Sequence, residues 1–154
     1  MVKNLIPSAM GWIQERLRQK PQASGEDQQQ EQFSAAARER WQKLGEELRS
    51  DVADFNSHQP GAEFAREDEN RFRVINSRAG LELTLMADFE NHTVRYEYSA
   101  LDQQNAGVPE GGMLSMRQPR SGGVEFYSAD ERLTSEETRQ VLLEPMLFPK
   151  RSSA

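Results

Sequence analysis

Phe33, Ala37, Trp41, Leu44, Leu48, Val52 and Phe55 follow one another at intervals of 4, 4, 3, 4, 4 and 3 residues. That spacing sets all of them on one stripe of an α-helix, which at ~1.5 Å per residue would run for roughly 34 Å. Arg38, Glu39, Lys43, Glu46, Glu47 and Asp54 fall on the other side as a solvated face. The run His58-Gln59-Pro60-Gly61 ends the helix, because proline and glycine stop helices and the residue before a proline avoids the helical region. A helix that is apolar on one side only must bury that side against another element.

The partner is legible downstream, where the period changes to two. Phe72, Val74 and Asn76 alternate with Arg71, Arg73 and Ile75; Leu81, Leu83, Leu85, Ala87 and Phe89 alternate with Glu82, Thr84, Met86 and Asp88; Val94, Tyr96 and Tyr98 alternate with Thr93, Arg95 and Glu97. Such alternation marks an antiparallel sheet with one buried and one wet face. Two-residue loops at Ala79-Gly80 and Asn91-His92 would keep the faces separate, pairing Phe72 with Ala87 and Phe89 with Val94. They would also build an outer row Arg71-Asp88-Arg95 of opposite charges. A further hairpin sets Met116 opposite Phe126 and Arg117 opposite Glu125, after a long loop over residues 101–112.

Near the end of the chain, Thr134 with Glu137 three residues later is a capping-box signature for a short helix containing Val141, Leu142, Met146 and Leu147, interrupted late by Pro145. The expected fold class is α+β: a long amphipathic helix, an antiparallel meander of about five strands, and a short C-terminal helix, the helices covering one face of the sheet. The corresponding division of the chain is an amphipathic basic arm over residues 1–20, a flexible polar linker over 21–32, one α+β domain over 33–148 and a disordered tail over 149–154.

Composition removes several functions. The net charge is −6, and of the segments 1–20, 21–32, 33–58, 59–70 and 71–154 only the first is net basic, with Lys3, Arg16, Arg18 and Lys20 against Glu15. That argues against a nucleic-acid partner, which requires a concentrated basic surface. The outer arginines Arg73, Arg95 and Arg117 alternate with Asp88, Glu97 and Glu125 and lack a ladder of stacking aromatics, so they read as solvated ion pairs. There is no cysteine, hence neither a thiolate nucleophile nor a cysteine metal site. The N-terminus lacks the apolar core of a secretory signal and no run is long enough for a membrane span, so the expected location is the cytoplasm. The sequon Asn91-His92-Thr93 is then a chance match.

No phosphate-cradling, dinucleotide-binding, nucleophile-elbow or zinc-hydrolase motif is present. The two histidines offer little chemistry. His58 with Asp54 has ligand-like spacing but lies at a helix C-terminus, and His92 sits in a tight turn beside Asp88 and Glu90. The reading therefore assigns no catalytic, cofactor-binding or metal-ligating residue, and leans away from an enzyme. Met10, Ile13 and Leu17, with Trp12 beside them, would form an apolar helical face, suited to a groove on this chain, on a second copy or on another protein. A membrane surface would suit so short a helix less well. The expected function is a non-catalytic interaction domain, homodimeric or bound to a protein partner, with Met10, Trp12, Ile13 and Leu17 as contacts. The alternative is a small-molecule binder or carboxylate-based enzyme with a cavity lined by Trp41, Tyr96 and Tyr98 between the long helix and the sheet.

Overall fold

A computed structural model describes residues 29–102 and 107–149, together with the backbone of the helix that leads into them. The chain is α+β. It begins with α1 (Pro7–His58) and continues through β1 (Ala62–Asp68), β2 (Arg71–Asn76), β3 (Leu81–Asp88), β4 (Thr93–Ala100), β5 (Gly112–Arg117), β6 (Glu125–Ser128) and β7 (Glu131–Leu133) to α2 (Ser135–Leu147). The strands form one seven-stranded antiparallel meander in sequence order. Two compact units are distinguished, Met1–Ala35, which includes the N-terminal part of α1, and Ala36–Ala154, which holds the sheet, α2 and the rest of α1.

Helical backbone runs through residues 21–32, where Pro21, Ser24 and Gly25 point to a flexible linker. The physical reason lies in the rest of that stretch. Gln, Glu and Ala are good helix formers, and their summed propensity competes with the penalty at Pro21 and Gly25. The tail beyond Pro149 lies outside the described residues.

The helical stripe buries as its spacing requires. Ala37, Trp41, Leu44 and Leu48 are fully buried and Val52 nearly so, while Phe55 at the end of the stripe is half-buried. Trp41 stacks flat on Phe72 with ring centroids 4.0 Å apart, and its indole N–H donates to the Glu69 carbonyl at 2.7 Å. Gly45 makes this contact possible, since a Cβ there would lie 2.5 Å from the Phe72 ring. The sheet's inner face supplies Val74, Leu81, Leu83, Leu85, Val94, Leu114 and Phe126, all buried.

The five strands expected from the alternation are β2 to β6. The two edge strands were not legible. In β1 only Ala62 and Phe64 alternate before charges take over, and β7 has three residues. The β2–β3 and β3–β4 registers differ from the two-residue-loop expectation by two positions, with Phe72 opposite Leu85 and Ala87 opposite Val94. Side chains cause the difference. Asn76 Oδ1 accepts from the Ala79 N–H, and Asp88 accepts from the N–H groups of Glu90 and Asn91 and from the Asn91 amide. These bonds commit residues 77–80 and 89–92 to four-residue turns, finished by Gly80 at φ 69° and His92 at φ 57°. Hydrogen bonds from Asn91 accordingly hold the Asp88 carboxyl below its usual range. A shift of two preserves both faces, but it replaces the expected outer row with Arg71-Met86-Arg95-Met113. The pairing of Met116 with Phe126 and of Arg117 with Glu125 is as expected.

The capping box of α2 is complete: Glu137 N–H donates to Thr134 Oγ1 at 3.0 Å, and Thr134 N–H donates to Glu137 Oε1 at 2.8 Å. Pro145 does not end the helix, which continues to Leu147. A proline at 145 deprives the Val141 carbonyl of its helical donor. The buried Tyr98 hydroxyl stands there instead, 3.3 Å from the Val141 oxygen and 2.7 Å from that of Leu142. Asn76 Nδ2 donates to the Met146 carbonyl at 2.9 Å, so two side chains of the sheet clamp the last turns of α2.

Candidate functional site

The clamp fixes α2 beside the last turns of α1. Ser135 Oγ donates to Glu47 at 2.5 Å, Arg139 Nη1 to Asp51 at 2.8 Å, and Phe55 meets Phe148 edge to face at 5.5 Å. Residues rising in number along α1 thus meet residues rising along α2, so the two helices run side by side in the same direction. Both C-terminal ends, each equivalent to about half a negative charge, come together at Phe55, His58 and Phe148.

Between the helices lies a groove of about 590 Å³. Asp51, Asp54, Phe55 and His58 line one bank, at helical spacings of 3, 1 and 3. Glu136, Arg139, Leu143 and Leu147 line the other, at 3, 4 and 4, with Glu144 beside them and Phe148 at the end. Each bank is therefore one helical stripe, and the hollow between parallel stripes has the form a third helix fills. Leu143 and Leu147 make a nearly buried floor; Phe148 is 62% exposed and forms an apolar rim. A second groove of about 530 Å³ shares Glu144 and Phe148 and continues the apolar surface through Val108, Pro109, Val141 and Pro145.

The groove is acidic. Arg139 is committed to Asp51, and among the described residues no cation pairs with Asp54, Glu136 or Glu144. Burial pushes the Asp51 carboxyl above its usual range, and the charges of Asp54 and Glu47 push the same way against the pull of Arg139. One turn earlier, Glu47 moves the opposite way: burial raises it, but the hydrogen bond from Ser135 and the charges of Arg40 and Arg139 outweigh burial and hold it low.

The residues proposed from sequence for a ligand cavity are used otherwise. Trp41 is spent on Phe72, Tyr98 on the carbonyls of α2, and Tyr96 lies against Tyr98 and over Gly112, where a Cβ would come 2.6 Å from the Tyr96 hydroxyl. None of the three lines either groove at α2. Burial pushes the pKa of both tyrosines up, so both stay neutral. Met10, Trp12, Ile13 and Leu17 fall within α1, but their side chains lie outside the described residues.

The outer face of the sheet carries ion pairs, such as the Arg73–Glu82 bridge at 2.8 Å with Glu67 close by, beside the exposed Met86 and Met113. Among the described residues there is no cluster of three or more His, Asp or Glu able to hold a metal, and no helix is long and apolar enough to cross a membrane. Sequence reasoning missed the groove because its facing banks are about ninety residues apart in the chain, as in the 88 between Asp51 and Arg139. Its signal was a surplus: Phe55 and Phe148 stand where helices are ending, flanked by Asp51, Asp54 and Glu144. Compared with protein-family models, with curated proteins and with solved structures, the chain matches none.

Proposed function

We propose that this chain is a non-catalytic interaction domain whose groove between α1 and α2 receives a short, basic, amphipathic helix. The observation that carries the reading is the pairing of an apolar floor and rim, Leu143, Leu147 and Phe148, with a carboxylate border at two converging helix C-termini. An apolar helix face replaces water over the floor. Lysine or arginine on its flanks meets Asp54, Glu136 and Glu144, and an acidic helix is repelled by the same groups.

Titration of the full chain with a fluorescent model helix of leucine and lysine repeats tests this by anisotropy. Saturable binding is expected, weakened roughly tenfold by the double variant Asp54→Lys/Glu144→Lys and absent for the leucine–glutamate counterpart. Phe148→Ala should weaken binding while lowering the thermal midpoint only slightly, because that ring is mostly exposed and loses only its edge contact with Phe55. Binding that ignores all three changes would defeat the proposal.

A further inference from the structure

The chain itself contains a segment with the chemistry the groove selects. Residues 8–20, SAMGWIQERLRQK, carry Met10, Ile13 and Leu17 at helical spacing, and end in Arg16, Arg18 and Lys20 against the single acid Glu15. We infer that the occupant of the groove is this segment from a second copy of the chain, and the inference rests on the groove reading above.

Charge is the first argument. In an acidic protein, the segment with an apolar helical face carries a net positive charge, and the groove opposes it with four carboxylates and one guanidinium, Arg139, already paired to Asp51. Length is the second. Residues 8–20 number thirteen and so does α2, so as helices both extend roughly 20 Å. Stoichiometry is the third. Each chain has one such segment and one such groove, so two copies exchanging segments satisfy both at once, in a closed two-fold arrangement that leaves neither surface for a further copy.

The test is the mass of the full chain by light scattering and sedimentation equilibrium over a dilution series. A dimer is expected, with dissociation made roughly tenfold easier by Asp54→Lys/Glu144→Lys in the groove, and equally by Arg16→Glu/Arg18→Glu in the segment. A chain carrying all four reversals should regain the wild-type dissociation constant to within a few-fold, which simple loss of folding could not produce; circular dichroism melts of each variant confirm the fold. A wild-type chain that is monomeric throughout overturns the inference, as does a dimer indifferent to the groove reversals or a fourfold variant that fails to recover. The model leucine–lysine helix separates the two levels: a monomeric chain that binds it at the groove keeps the interaction reading and loses only the second copy.

Discussion

Tyr98 offers a measurable test of how the groove is held in shape. In Tyr98→Phe the ring stays and the hydroxyl goes, so the perturbation is confined to the bonds at 2.7 Å to the Leu142 oxygen and 3.3 Å to that of Val141. Loss of a buried hydrogen bond costs about 0.5–1.5 kcal/mol, and leaving a buried carbonyl unsatisfied costs about 1–3. The Val141 oxygen is the exposed liability, because Pro145 has no N–H to give it. The combined expectation is a loss of about 1.5–3 kcal/mol in urea unfolding followed by circular dichroism, with little change in the m-value. Pro145→Ala restores the missing helical donor. In that background Tyr98→Phe should cost about 1 kcal/mol less, a coupling that a double-mutant cycle reads directly. A cost under about 0.5 kcal/mol, or an equal cost in both backgrounds, would refute the clamp.

Gly45→Ala should lower the unfolding midpoint even though alanine is the better helix former by about 1 kcal/mol, since its Cβ would meet the Phe72 ring at 2.5 Å. An unchanged or raised midpoint would show that the Trp41–Phe72 stack has room to yield. Carboxyl NMR titration should find Glu47 below and Asp51 above their usual values, and Arg139→Gln should raise both, since the arginine's charge lowers each. The two have opposite consequences. The stability Glu47 contributes is present above its unfolded pKa and lost as pH falls through the lower folded one, whereas ionisation of Asp51 opposes folding at neutral pH and that cost is relieved as pH falls through its raised value. Two carboxylates moving together in wild type would contradict this account of the α1–α2 seam.

The parts of the fold that one stretch of chain specifies alone were the parts legible in the sequence. The stripe from Ala37 to Val52, the alternation in β2 to β4 and the Thr134–Glu137 box each encode their own local geometry, and the structure shows all three. Register was half legible. Hydrophobic alternation fixes which face a residue occupies but is blind to a shift of two, and the choice fell to the Asn76 and Asp88 side chains, which lengthen their turns. Edge strands β1 and β7 escaped because an edge is short or charged by design against unwanted pairing. The aromatic residues Trp41, Tyr96 and Tyr98 carried no mark distinguishing a packed interior from a lined cavity; partners settle that, and Tyr98 found its partners on α2, more than forty residues away. The groove was hidden for the same reason. Phe55 and Phe148 are ordinary residues in the sequence, and only the parallel seating of two helices makes them the two sides of one hollow.

The most direct measurement places a photoreactive benzoylphenylalanine at position 148, where the native ring is mostly exposed. Irradiating an equal mixture of isotopically heavy and light full-length chains and sequencing the crosslinked peptides shows what lies in the groove and from which copy it comes. Crosslinks between heavy and light chains, joining position 148 to residues 8–20, are the predicted result. Crosslinks confined to one chain, or falling elsewhere on the protein, would contradict the exchange of segments between copies.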